Sequence, residues 1–354
     1  MTPELSNASH PKIGPTLRFP AEWEPQSAVL LAWPHAGTDW AARLGEVETS
    51  YVALIGAIAR FQAVVVCIPG PELCRHAAQL LDAAAVPIER VRFVEVEYDD
   101  TWLRDSGPIS LRGTDGFNLL DFRFNAWGDK YASTRDDRLV EALFAQGLFR
   151  NAHRERIDFA LEGGAIETDG DGTLLCTWHC LHARHPDLDR GAIESNLCAT
   201  LKQHRVLWLD HGALEGDDTD AHIDTLARFA DPSTIVYQSC DDPDDPHHDD
   251  LELMARELAA LRTRDGNPYR LFPLPWLRPI IDEGRRLAAS YANFLIVNGA
   301  VLMPAYDDPA DTIAAAVLVN AFPDRQIVPI PCRPLIWQNG SLHCLTMQLP
   351  EGLI

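Results

Sequence analysis

Short β-rich apolar runs alternating with helical patterns constrain this chain more than any other feature. The runs are Ala28–Trp33, Val64–Ile68, Val91–Val96, Leu119–Phe124, Leu174–Thr177, Val206–Leu209, Thr234–Tyr237, Phe294–Val297, Val301–Pro304 and Ile327–Ile330. The helical patterns between them are Glu46–Phe61, Glu72–Ala85, Asp137–Phe144, Gly191–His204, Leu251–Arg262 and Asp311–Phe322. In the fifth, Leu251, Met254, Leu258 and Leu261 recur at spacings of three and four, the period of one helix face. Gly191 and Asp137 are the expected helix starts. Such alternation predicts an α/β protein. Asn298-Gly299 between two runs predicts a two-residue hairpin, and Asp169-Gly170-Asp171-Gly172 predicts another turn. Mixed hairpins and crossovers argue against a simple parallel sheet. No internal sequence repeat or low-complexity linker divides the chain, so residues 1–354 read as a single domain.

The 354 residues are enough for a large core. The formal charge of −22, from 30 basic and 52 acidic side chains, repels phosphate backbones and makes nucleic acid an unexpected partner. Met1 to Pro20 lacks the apolar stretch of a secretory signal, and no apolar run reaches bilayer length. Cys67, Cys74, Cys176, Cys180, Cys198, Cys240, Cys332 and Cys344 are too scattered for a secreted disulfide framework, so a cytoplasmic location with reduced thiols is expected. The run Asp241–Asp250 combines carboxylates with His247 and His248, but its prolines and mutual repulsion predict a solvated loop leading into a helix N-terminus.

Three runs carry unusual chemistry. Cys344 lies ten residues from the C-terminus, a useful place for a reactive thiol only if the last strand returns to the centre of the fold. Most free cysteines are structural. Here Gly340 permits a backbone turn just before, and Thr346 and Gln348 are polar on alternate positions. His343 is adjacent, but strand neighbours point to opposite faces, so it is expected to pack rather than act as the base. His222 is two residues from Asp224, and on a strand the two would share a face. A pair of that kind serves a metal, a structural contact or catalysis. No His-x-Glu-x-His or Cys-x-x-Cys spacing accompanies it, and Cys176-x-x-x-Cys180 is wider and has no matching second pair, so no metal or other cofactor is expected. Asp105, in Trp102-Leu103-Arg104-Asp105-Ser106-Gly107-Pro108, has an ordinary role available at a turn before proline, but Asp99, Asp100 and Trp102 make the run richer than a turn needs. Glu162 precedes Gly163-Gly164, which suits either a plain turn or close approach of backbone to a ligand. Together these residues supply a soft nucleophile, an imidazole and carboxylates, the parts needed to hold a planar cation and attack its carbon.

The same runs resemble one family in order along almost the whole chain. They are Phe19-Pro20-Ala21-Glu22-Trp23-Glu24-Pro25-Gln26, Leu31-Ala32-Trp33-Pro34-His35, Asp100 to Pro108, Phe124-Asn125-Ala126-Trp127-Gly128, Leu161-Glu162-Gly163-Gly164, His222-Ile223-Asp224, Ser290-Tyr291-Ala292-Asn293-Phe294 and Gly340-Ser341-Leu342-His343-Cys344-Leu345-Thr346. On these the chain resembles the Porphyromonas-type peptidylarginine deiminase family, and within it the enzymes that act on agmatine. The resemblance implies the pentein fold, a propeller of five ββαβ-type units around a pseudo-fivefold axis. It implies Cys344 as nucleophile, His222 as general acid and base, Asp105 and Asp224 as the guanidinium grip, and Glu162 as support for His222 and the substrate cation. Trp102, Arg104, Asp100 and Asp218 are the expected substrate-binding neighbours. The implied reaction converts agmatine and water to N-carbamoylputrescine and ammonia without a cofactor, a step towards putrescine. Free or peptidyl arginine is the alternative substrate, and a non-catalytic pentein binding protein or a metal hydrolase built on His222, Asp224 and Asp105 the alternative class. Oligomeric state is open, a homodimer included. Three departures from the family pattern stand out: Trp337-Gln338-Asn339-Gly340 has fewer glycines, Ala221 stands where glycine is usual, and Arg278 to Arg286 is short. The first and third bear on the pocket end that recognises the amine tail.

Overall fold

The structure, a computed structural model, describes residues 17–354. The signal-free reading of the first twenty residues falls mostly outside the described residues. The architecture is mixed α/β, and five of the six sheets among the described residues share one plan. In each, two strands pair antiparallel, and a helix then carries the chain to a third strand parallel to the second. Ile109–Arg112, Phe117–Arg123 and Ala152–Ala160 form one such sheet. Glu167–Thr168, Thr173–Thr177 and Arg205–Leu209 form the next. Ala227–Asp231, Thr234–Gln238 and Arg270–Leu274 follow, then Leu295–Val297, Ala300–Ala305 and Gln326–Pro331.

The fifth sheet joins the two ends of the chain. The last strand, Met347–Pro350, pairs antiparallel with the first, Gln26–Ala32. Ala63–Ile68 and Val91–Glu95 extend it in parallel. This closure accounts for a thiol so near a terminus: the final strand does return to the interior.

All ten apolar runs are strands and all six helical patterns are helices. Asn298-Gly299 closes a tight hairpin in which Val297 faces Ala300. Some helix starts differ from expectation. The helix Arg190–Leu201 is capped by Asp189, whose Oδ1 accepts the Ala192 N–H at 2.8 Å, rather than begun by Gly191. It turns Ile193, Leu197 and Leu201 inward and ends at Lys202 in the left-handed region. Asp137 is not a cap either; its Oδ1 accepts from Phe124 N–H, and Arg156 pairs with it. The acidic run Asp241–Asp250 is only partly solvated. Asp245 is buried, accepting from Arg286 Nη2 at 2.6 Å and from Trp276 Nε1 at 3.0 Å. Asp249 and Asp250 do occupy the first turn of the helix His248–Ala260.

Among the described residues, no helix is long and apolar enough to cross a membrane. All eight cysteines are free thiols.

Candidate active site

Residues 342–345 form a turn that leads into the closing strand, so Cys344 is not itself on a strand. The expectation that His343 and Cys344 point to opposite faces of a strand therefore fails at its premise. The turn is tied down from three sides. Thr346 N–H donates to His343 O at 3.0 Å, and Arg104 N–H donates to Cys344 O at 3.1 Å. Asn293 Oδ1 accepts the His343 N–H at 2.9 Å, while its Nδ2 donates to Cys344 Sγ at 3.2 Å. The thiol is buried. Burial, followed by the nearby Asp224 and Asp105 carboxylates, pushes it well above the usual thiol range.

His222 and Asp224 are not on a strand either. They belong to a tight turn, with Ile223–Thr225 in a single 3-10 turn and His222 just before it. The turn is set by Thr225 Oγ1 donating to His222 O at 2.9 Å. Both side chains are fully buried. Neither ring nitrogen of His222 has a hydrogen-bond partner among the described residues. Nδ1 faces Asp105 Oδ1 at 3.8 Å, and Nε2 faces Glu162 Oε2 at 3.7 Å. Burial alone would lower the imidazole's affinity for a proton, but the charges around it, Asp105 foremost, hold it well above its ordinary range. Glu162 is likewise subject to burial, yet His222 and Arg184 keep it low; Arg184 Nε donates to Glu162 Oε1 at 2.7 Å.

Asp105 lies in a short helical turn, Leu103–Ser106. Its two oxygens have separate duties: Oδ2 accepts from Trp127 Nε1 at 3.0 Å and Oδ1 from Gly164 N–H at 2.9 Å. Burial raises it to about 6, with Asp224 and Glu162 adding to the shift and His222 opposing it. Gly164 is the common neighbour. A Cβ there would lie 2.5 Å from His222 Nδ1, 2.8 Å from Asp105 Oδ1 and 3.2 Å from Asp224 Oδ2. The Gly163-Gly164 pair thus serves close approach among site residues, with Gly163 pressed against Arg104 O.

Over these residues opens a cavity of about 560 Å³, reached by Cys344, Asp105, Trp102, Asp100 and Asp218. Trp127, Phe124 and Tyr131 add aromatic wall. Gly340 is needed less for a turn than for contact: a Cβ there would overlap the Trp102 ring. Asp100 and its neighbour Asp136 are each raised to about 7, chiefly by burial. Asp136 holds the loop by accepting the Asp99 N–H at 2.7 Å. Asp218 Oδ2 accepts from Tyr131 OH at 2.7 Å and Asn339 Nδ2 at 2.9 Å. Asn339 adopts φ +69°, the left-handed conformation that the missing glycines would otherwise supply.

One expected substrate contact is corrected. Arg104 turns away from the cavity, donating to Gln348 Oε1 at 2.7 Å and standing 3.5 Å from Glu22. Its backbone N–H, not its side chain, reaches the Cys344 turn, donating to Cys344 O. Several site neighbours are missed by residue-level reasoning. Asn293 and Trp127 lie inside family-like runs, but nothing in their type or spacing singles them out. Glu22 also lies in such a run, but it, Arg184 and Cys180 meet the site only through tertiary contacts. Glu162, Cys180 and His222 bring potential metal-ligand atoms within 4.8 Å of one another. Arg184 already occupies one oxygen of that glutamate, and the other faces His222.

The chemistry available at this floor is nucleophilic and tolerant of positive charge, which is the province of the guanidino-modifying thiol enzymes. A family model described as Porphyromonas-type peptidyl-arginine deiminase matches residues 18–350. The chain belongs to that family. It is 33% identical over 372 residues to an agmatine deiminase of Pseudomonas aeruginosa strain LESB58, covering 98% of this chain and 99% of the relative. A substrate-bound agmatine deiminase of C. jejuni, carrying a cysteine-to-serine substitution, superposes with a TM-score of 0.88 at 34% identity, covering 99% and 100% of the two chains. A Porphyromonas gingivalis structure provisionally named an arginine deiminase gives a TM-score of 0.89 at 48% identity, covering 96% and 100%.

Proposed function

We propose that this protein hydrolyses agmatine to N-carbamoylputrescine and ammonia through a covalent intermediate on Cys344. The observation that carries this reading is the charge of the cavity. Among the described residues, Asp39, Asp99, Asp100, Asp105, Asp136 and Asp218 line it against a single cation, Arg285, and it stays acidic even though burial leaves Asp100 and Asp136 only partly ionised at neutral pH. Arg285 is already engaged by Asn339 Oδ1 and Trp337 O. Agmatine carries a guanidinium at one end and an ammonium at the other, and such a wall attracts both. Free arginine would bring a carboxylate into the same acidic surroundings.

Resonance makes the guanidinium carbon a poor electrophile, and its charge persists at any physiological pH. Asp105 and Asp224 fix the plane by accepting its N–H groups and localise the charge. In the free enzyme, burial and the carboxylates favour the neutral thiol. The arriving cation reverses that balance, so the substrate itself promotes the thiolate, the thiol proton passing to solvent. Sulfur attacks the central carbon to give a tetrahedral adduct. His222, poised as an imidazolium, protonates the departing ammonia and leaves an S-alkylthiouronium. The neutral His222 then takes a proton from water, whose oxygen adds to the same carbon; the C–S bond breaks, the added hydroxyl's proton passes to the departing sulfur to restore the Cys344 thiol, and the ureido product leaves. Glu162 orients His222, backed by Arg184.

The five like-built sheets form, in this reading, a pentein propeller around a pseudo-fivefold axis within a single domain, the arrangement that brings turns from distant sequence to one floor. Eight unpaired thiols suit the cytoplasm as its place of action.

The test is release of ammonia and ureido product from agmatine, arginine and a peptidyl-arginine, side by side. Turnover of agmatine above the others supports the proposal. Preferential turnover of arginine, the activity suggested by the name of the Porphyromonas gingivalis neighbour, overturns the substrate while leaving the thiol chemistry standing.

A further inference from the structure

His343 is fully enclosed, and both of its ring nitrogens meet carboxylates. Nδ1 is 2.7 Å from Asp224 Oδ2, and Nε2 is 2.8 Å from Glu22 Oε2. A neutral imidazole has one N–H, so one lone pair would face a carboxylate oxygen at that distance. Either the ring carries both protons or one carboxyl does. Glu22 is a poor home for the proton. Its Oε2 also meets Arg228 Nη2 at 2.9 Å and Arg104 Nη2 at 3.5 Å, and its Oε1 accepts Ile296 N–H at 2.7 Å. Arg228 is itself buried and pairs with Glu167 at 2.7 Å. On the other side, the Cys344 thiol lies 3.7 Å from the same Asp224 Oδ2. Asp224 Oδ1 is buried and has no partner among the described residues.

We propose that His343 is a positioning residue, an imidazolium wedged between Asp224 and Glu22 that reserves Asp224 Oδ1 for the substrate and offsets the carboxylate's penalty on the Cys344 thiolate. The proposal rests on the reading of Asp224 as a guanidinium ligand. The charged and titratable groups facing the ring and its two partners are Asp224, Glu22, Arg228, Arg104, Glu167, Arg325, His222, Asp105 and Cys344. With one proton the ring could donate to only one of the two carboxylates; with that proton on Nε2, Asp224 Oδ2 would lose the His343 N–H and could turn to the cation. The thiol would then face an Asp224 charge offset by fewer cations, His222 among those that remain.

Two measurements on the substrate-free enzyme separate this from the agmatine reading, because neither requires turnover. In histidine-selective ¹⁵N NMR, with His343→Gln identifying the signal, both ring nitrogens of His343 should be protonated at pH 7; a neutral tautomer there overturns the proposal. In His343→Gln, the pH profile of Cys344 alkylation by iodoacetamide should move upward by about one pH unit, since a compensating charge has been removed. A purely packing role would lower thermal stability and leave that profile where it is, and this result also rejects the proposal. In the turnover assay, kcat/KM of the same variant should fall roughly 30-fold or more, the scale of a lost charge-assisted pair. If His343→Gln does not fold, Glu22→Gln takes its place. It should return the ring to one proton at pH 7 and move the alkylation profile the same way, and an unchanged ring and profile count against the proposal.

Discussion

Asp105 Oδ1 faces His222 Nδ1 across 3.8 Å, with no hydrogen bond closing the gap. The separation is close enough for strong charge interaction in a buried site, yet it leaves the imidazole unengaged. Gly164 keeps the space between them, because its backbone N–H takes Asp105 Oδ1 and its missing Cβ leaves room for the ring.

The Asp105 carboxylate should set the acid limb of activity. It is raised to about 6 in the free enzyme, chiefly by burial. Above that pH it is ionised and accepts the guanidinium; below it, the proton competes with the substrate. We predict that kcat/KM for agmatine falls about tenfold per pH unit below 6, since the free enzyme's groups govern that ratio. Asp105→Asn and Asp224→Asn should each lose about 2–5 kcal/mol of transition-state binding, roughly 30- to several-thousand-fold in kcat/KM. Wild-type kinetics in either variant would remove that residue from the grip.

Cys344→Ser should abolish turnover in a protein that keeps its fold by circular dichroism. Because the cation promotes the thiolate, a positively charged haloacetamidine should label Cys344 far faster than neutral iodoacetamide. Equal rates with the two reagents would mean that the thiolate forms without help from bound charge.

His222→Asn should stall the reaction during or after the covalent step. Mass spectrometry after mixing with agmatine should then find the thiouronium mass on Cys344. Steady turnover by this variant would place the acid–base role elsewhere.

Gly164→Ala tests crowding rather than chemistry. A methyl 2.5 Å from His222 Nδ1 must displace the ring or Asp105. Misplacing a catalytic group by about 1 Å costs on the order of 100-fold, so kcat should drop by that much while the melting temperature moves little. Near-normal kcat would show that the floor relaxes freely.

Ala221→Gly addresses a departure from the family pattern. Ala221 is at φ +69° and follows Asp220 at φ +64°, both in the left-handed region just before His222. Asp217 Oδ2 accepts the Ala221 N–H at 2.7 Å, and Thr177 Oγ1 donates to Ala221 O at 2.6 Å, which holds the conformation. A non-glycine residue there costs about 1–2 kcal/mol, against which glycine loses part through unfolded-state entropy. We expect a net gain of about 0.5–1 kcal/mol and a rise of roughly 1–3 °C in Tm, read by calorimetry. A lower Tm would show that the left-handed pair is not strained.

By itself the sequence determined the elements that local chemistry dictates. Apolar runs of four to six residues became strands, amphipathic spacing became helices, and Asn298-Gly299 became a hairpin, because these follow from backbone sterics and side-chain period. Strands whose apolar residues are broken up by charged ones, such as Ala152–Ala160 and Ala227–Asp231, carry no such signal, because pairing with neighbours, not apolar content, makes them strands. The site's titratable residues are legible because Cys344, His222, Asp105, Asp224 and Glu162 stand in recognisable runs. Their geometry is not. The spacing of His222 and Asp224 suits a strand, yet they lie in a turn; the place of His343 suits packing, yet it bridges Asp224 to Glu22. Arg104 stands in a run expected at the substrate and turns to Gln348 and Glu22. Those outcomes depend on partners dozens to hundreds of residues away. Only closure of the last strand onto the first brings Glu22, Arg104 and His343 together, and no local pattern encodes that contact.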